Sequence, residues 1–160
     1  SVSHTEEVPS FLPDRFEPGT PNIPGILGLH AALCDLEQTD MDKLHQHELE
    51  LTQYFINGLM QMDPSESTLR AIGKHNTIER TSVVSVQTLQ TDMARVAYEM
   101  DDTYGIMTRV GLHCAPSAHK TLGTYPEGTI RFSFGPENTH HEVDLALHAL
   151  AEITGSPYHL

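Results

Sequence analysis

Two stretches decide how this chain is read: Arg109-Val110-Gly111-Leu112-His113-Cys114-Ala115-Pro116, and Gly128-Thr129-Ile130-Arg131-Phe132-Ser133-Phe134-Gly135-Pro136-Glu137-Asn138-Thr139. The alternating runs Gly105–His113 and Thr129–Phe134 predict strands, and each ends in a turn. Between them lies a thiol, Cys114, with a histidine before it, Arg109 five residues upstream and Arg131 seventeen downstream. Thiolate is the reactive form of cysteine, and neighbouring cations favour it. Arginine presents a planar fork that grips a carboxylate at two points. A nucleophilic sulfur beside a carboxylate clamp points to chemistry on a small amino or keto acid. A cysteine next to a histidine is more often a small buried packing residue than a nucleophile, so the local residues alone favour packing and the wider pattern has to carry the functional reading.

Outward from this centre, the flanks read as alternating helix and strand. Glu79–Leu89 is β-branched and alternating and predicts a strand. Thr91–Asp102 predicts a helix with Met93, Val96, Ala97 and Met100 on one face, and Thr139 is placed to cap a last helix over His141–Ile153. Residues 40–62 predict a long amphipathic helix with Leu44, Leu51, Phe55, Leu59 and Met62 at helical spacing, ended by Asp63-Pro64-Ser65. Before it, Asn22 is a good N-cap for a helix with Pro24 in its first turn and Ile26, Leu29, Leu33 and Leu36 near one stripe. Residues 1–24 carry five prolines, too many for a helix or a central strand, and predict an extended arm. The expected order is therefore arm, helix, long helix, then β-α-β-β-α: an α+β fold with a long linking helix.

Composition bounds the function. The chain has 160 residues, enough for one domain with a real core, and a net charge of −13 from 9 basic and 22 acidic residues. That balance opposes binding to nucleic-acid phosphates or to an acidic membrane leaflet. No apolar run has the length needed to cross a bilayer, and the first residues lack a signal-peptide pattern. Two cysteines, Cys34 and Cys114, do not make a disulfide framework, which suits a reducing cytoplasm. The 11 histidines make charge pH-sensitive near neutrality. His113, Cys114 and His119 are three possible metal ligands, but no CxxC or HExxH spacing accompanies them, so no metal site is expected; no glycine-rich nucleotide loop occurs.

The succession RFEPGTPN, helix, long helix, strand, helix, RVGLHCAP, GTIRFSFGPENT and terminal helix resembles the C-terminal part of the cysteine desulfurase and selenocysteine lyase family. These are class-V, aminotransferase-like enzymes of the pyridoxal-phosphate type I fold, and the nearest branch is SufS-like. The resemblance runs across nearly all of this chain and covers only the rear portion of a complete family member. It implies that Cys114 is the nucleophile that attacks the sulfur of a cysteine held on pyridoxal phosphate, leaving a persulfide and alanine. It implies that Arg131 binds the substrate carboxylate and that Arg109 assists there, by charge or by holding the cysteine loop. It implies that Thr20, in a Gly-Thr-Pro turn before a helix, reaches the cofactor phosphate of a partner subunit across a dimer interface. Without the resemblance, Thr20 is an ordinary turn residue and the two arginines are solvated strand residues.

The same resemblance divides the chain into an arm and helix from the rear of the large cofactor domain (1–36), a linking helix (37–64) and the two-layer small domain of the type I fold (65–160). The family's Schiff-base lysine lies upstream of these residues; Lys120 is expected to be a solvated loop residue and not that lysine. The chain is expected to be inactive alone, as part of a longer cytoplasmic homodimer that takes L-cysteine, or selenocysteine, and passes sulfur to an acceptor protein for iron–sulfur cluster assembly or related biosynthesis. Glu137 stands where an apolar residue is usual in the family, a small departure. The rivals are selenocysteine lyase, another class-V reaction, and a non-catalytic module that binds a partner through its long helix.

Overall fold

The structure is a computed structural model that describes residues 7–17 and 19–158. The first six residues of the expected arm and Pro18 fall outside it. Five helices and four strands follow one another: α1 (Ile23–Gln38), α2 (Met41–Met62), β1 (Leu69–Ala71), β2 (Val83–Thr88), α3 (Met93–Tyr104), β3 (Arg109–Gly111), α4 (Pro116–Leu122), β4 (Thr129–Ser133) and α5 (His140–Thr154). They fall into two compact units, residues 1–41 and 42–160.

In the first unit, Asn22 caps α1 by accepting from the Gly25 N–H at 3.1 Å, with Pro24 in the first turn as the sequence predicts. The arm carries a turn in which Arg15 and Phe16 N–H groups donate to the Phe11 and Pro13 carbonyls. α1 buries none of its residues, and Ile26, Leu29, Leu33 and Leu36 are all exposed.

The second unit is a four-stranded sheet, order β1-β2-β4-β3, antiparallel throughout. Period-2 alternation sends Val84 and Val86 of β2 and Ile130 and Phe132 of β4 to one face, where all are buried. Onto that face pack α2, α3 and α5. Phe55 of α2 stacks against Phe132 and Phe134 with ring centroids 4.8 and 5.3 Å away. Gly58 of α2 gives room to Leu147 of α5, whose side chain occupies the space a Cβ would need. Thr139 and Glu142 form a capping box at the start of α5. At the junction of α2 and β1, the buried Asp63 carboxylate accepts from Thr68 N at 2.6 Å, Leu69 N at 3.0 Å and Ser65 Oγ at 2.8 Å. Burial pushes its pKa up, but the Leu69 and Thr68 amides outweigh that and hold it well below the usual carboxylate range.

The regular elements differ from expectation at the short pieces. β1 and α4 are present where none was expected. β2 starts at Val83 rather than Glu79, because Glu79 takes a left-handed φ of 57° and the Arg80 guanidinium donates to the Lys74 and Ile72 carbonyls, holding a loop. β3 is three residues long, and Gly105 caps the end of α3 in the left-handed region instead of starting a strand. Lys120 is on α4, not in a loop; it is exposed, with Nζ 5.1 Å from the Tyr125 ring centroid.

Candidate active site

The opposite face of the sheet is polar, and no described helix of the second unit supplies an apolar layer to it. Register places Arg131 of β4 directly between Ser85 of β2 and Arg109 of β3. Two arginines thus face each other across adjacent antiparallel strands. Like charges in that position repel, yet neither has an ion pair or side-chain hydrogen bond among the described residues, and the buried Arg131 Nε has no partner. In a chain with 22 acidic residues this is informative. A third arginine on the face, Arg70 of β1, bonds the buried Gln87, whose Nε2 donates to the Gly128 carbonyl at 3.3 Å.

Cys114 lies just beyond β3, at the rim of this face. The Ala115 N–H donates to the Leu112 carbonyl at 2.8 Å and closes a four-residue turn whose two central residues, His113 and Cys114, have φ of 49° and 59°. Both central residues left-handed is the pattern of a mirror-image turn, which glycine and asparagine normally fill. A histidine and a cysteine there are strained by about 1 kcal/mol or more each, and the turn lifts Cys114 into solvent. Its base is rigid. Gly111 and Gly128 come so close that a Cβ on Gly128 would enter the Gly111 carbonyl, and both have positive φ.

Two histidines back the turn. His113 Nε2 is hydrogen-bonded to Thr129 Oγ1 at 3.2 Å, and its ring lies 5.8 Å from that of His119. His119 is buried, with Nδ1 2.7 Å from Thr124 Oγ1. Burial first, then the positive charge of Arg131 and the nearby His119 and Arg109, lowers the His113 pKa from its ordinary value, against a hydrogen bond with the Thr129 backbone that acts the other way.

The structure thus pairs Arg109 with Arg131 across β3 and β4, and sets Cys114 in the turn after β3 next to His113, which feels both arginine charges. Thr20 belongs to the first unit, exposed in the turn before α1. Sequence reasoning did not find Thr129 or the buried state of His119; the alternation that puts Thr129 and Arg131 on one face was the available signal.

A family model described as aminotransferase class-V matches residues 1–146. This chain belongs to the class-V aminotransferase family. It is 35% identical over 144 residues to a probable cysteine desulfurase of Pyrococcus abyssi, covering 90% of this chain and 34% of that one. It is 32% identical over 135 residues to a probable cysteine desulfurase of Borreliella burgdorferi, covering 84% and 31%. Among solved structures, apo cysteine desulfurase from Thermococcus onnurineus superposes with a TM-score of 0.76 at 33% identity, over 89% of this chain and 34% of that one. The Escherichia coli cysteine desulfurase CsdA gives 0.72 at 27% identity, over 88% and 32%. This class-V aminotransferase chain spans about a third of the length of those relatives.

The family implies pyridoxal phosphate, and the residues present fit part of what it needs. The unpartnered arginines suit the carboxylate of an amino acid. The sequence has only three lysines, Lys43, Lys74 and Lys120. Lys74 is exposed and paired with Glu79 at 2.9 Å, and Lys120 is exposed over Tyr125, so neither resembles a buried Schiff-base lysine.

Proposed function

We propose that this chain is the rear third of a cysteine desulfurase, in which Cys114 takes the sulfur of L-cysteine while Arg131, assisted by Arg109, holds the substrate carboxylate. The observation that carries this is the pair of unpartnered, cross-strand arginines next to a thiol displayed on a strained turn. An amino-acid carboxylate between the two guanidinium groups would relieve their repulsion and satisfy the Arg131 Nε. When bound, pyridoxal phosphate supplies an electron sink for cleavage next to the amino-bearing carbon. The Cys114 thiolate attacks the substrate sulfur. An S–S bond forms as the substrate C–S bond breaks, and the electron pair of that bond, with a proton, ends on the departing carbon. The sum is L-cysteine plus enzyme thiol giving L-alanine plus enzyme persulfide. The Schiff-base lysine lies in the preceding part of the complete protein.

Residues 1–36 belong to the large cofactor domain in this reading, residues 37–64 link it to the small domain, and residues 65–160 form that small domain. Thr20 contacts the cofactor phosphate of a partner subunit in a homodimer. The complete protein works in the cytoplasm and delivers persulfide sulfur to an acceptor protein for iron–sulfur cluster assembly. No described helix is long and apolar enough to cross a membrane.

The test is turnover by the complete protein with pyridoxal phosphate and L-cysteine, with alanine and sulfide quantified. Cys114→Ala should lower both by roughly three orders of magnitude. Alanine formed at the wild-type rate by Cys114→Ala would remove Cys114 from the reaction. No alanine from the wild type would move the reading to another class-V reaction.

A further inference from the structure

We propose that His113 and Thr129 form a latch that fixes Cys114 relative to Arg131, making His113 a positioning residue for attack on the substrate sulfur. The inference rests on the desulfurase reading above and goes beyond it by assigning two residues that hold the nucleophile without touching substrate. Three observations carry it. First, the His113-Cys114 turn is strained at two consecutive residues and needs an external hold. A single backbone bond, Ala115 N to Leu112 O, closes it from within. The side-chain bond from His113 Nε2 to Thr129 Oγ1 ties it to the sheet across 16 residues of chain.

Second, the anchor is on the right strand. Thr129 is two residues before Arg131 on β4, and alternation puts both on the polar face. The thiol loop and the carboxylate fork are thereby referred to one short rigid segment. Thr129 is 1% exposed, so no solvent competes for its hydroxyl. Gly128 just before it is locked against Gly111 and held by Gln87, which immobilises the anchor.

Third, the ring itself is confined. His119 of α4 backs His113 and is fixed by Thr124. Arg131 from β4, Arg109 from β3 and His119 from α4 all face His113 with positive or potentially positive charge. In that setting the imidazole serves as a hydrogen-bonding strut between the turn and β4. If His113 only filled space, the hydroxyl of Thr129 would be dispensable and valine, of the same shape, would serve equally well for turnover.

The experiment uses the complete holoenzyme. The kcat and KM for L-cysteine, and the thermal midpoint, are measured for wild type, Thr129→Val, Thr129→Ser and His113→Gln. Thr129→Val should lower kcat about tenfold to a hundredfold by displacing the thiol, with KM held within about twofold because Arg131 is untouched. Thr129→Ser, which keeps the hydroxyl, should recover most of the kcat. A Thr129→Val protein with wild-type kcat, or with loss of kcat that Thr129→Ser does not recover, overturns the latch. Should Thr129→Val fail to fold, His113→Gln is scored by the same loss of kcat at constant KM. If the wild type forms no alanine, the desulfurase reading fails, and the latch is judged by the rate at which iodoacetamide alkylates Cys114. A severalfold change in Thr129→Val that is absent in Thr129→Ser supports the latch. Equal alkylation rates in all three proteins refute it.

Discussion

The two faces of one four-stranded sheet obey opposite rules. On the helix-covered face, Val84, Val86, Ile130 and Phe132 are buried in one apolar cluster with residues of α2, α3 and α5. On the other face, a residue away along each strand, Arg131 and Arg109 confront each other without a counter-charge, and Arg131 Nε is buried without a partner. The first face is complete within the chain. The second leaves buried polar atoms without a partner among the described residues, and a bound carboxylate would supply one in the proposed reading. A face that stabilises the fold tolerates little change in shape, whereas a face that binds tolerates repulsion in the free state and uses it to favour the bound one.

Substitutions on the two faces should therefore separate stability from chemistry. The largest effect is expected from Phe55→Ala, which removes the ring packed between Phe132 and Phe134. It should cost about 3–5 kcal/mol of folding free energy, read by denaturant unfolding. A cost near zero would show that α2 is not the main cover of the apolar face. Next in size, Arg131→Met should raise KM for L-cysteine in the complete enzyme roughly ten- to a hundredfold while changing stability by less than about 0.5 kcal/mol. A large loss of stability with KM unchanged would make Arg131 a structural residue and erase the contrast. At the α2–β1 junction, Asp63→Asn should cost about 1–3 kcal/mol at neutral pH, because a neutral amide has a single acceptor oxygen and cannot serve both the Thr68 and Leu69 N–H groups, which share Oδ2, and the Ser65 and Ser67 hydroxyls on Oδ1.

The same aspartate gives the fold a pH signature of known sign. Its pKa is lower folded than unfolded, so its contribution is present above the unfolded value of about 3.9 and is lost as pH falls through the folded one. Wild-type stability should decline below about pH 4, and part of that decline should vanish in Asp63→Asn. Parallel acid unfolding curves for the two proteins would contradict the assignment.

What could be read from sequence follows the physics of range. α2, α3 and α5 were legible because a repeat near 3.6 and local caps such as Thr139 or Asn22 are written within a few neighbouring residues. β4 was legible because Thr129–Ser133 alternates cleanly. β1 and α4 were not, since three and seven residues are too few to carry a period and are held by tertiary partners. β3 was read too long because Gly105, which looked like the start of a strand, instead closes α3. Of the site, Cys114, Arg131 and Arg109 were legible as residue types in a familiar order. Their register was not, because pairing Arg109 with Arg131 is a fact of long-range strand alignment. Thr129 was passed over for the same reason: its role exists only once the His113 turn folds back onto β4.

The most direct measurement is mass spectrometry of the Cys114 peptide after one turnover of the complete protein with pyridoxal phosphate and L-cysteine, with alanine counted in parallel. The expected result is one added sulfur atom on Cys114 for each alanine released, and none on Cys34. Alanine released with Cys114 unmodified and no sulfur trapped on the protein would contradict the assignment of Cys114 as the sulfur acceptor.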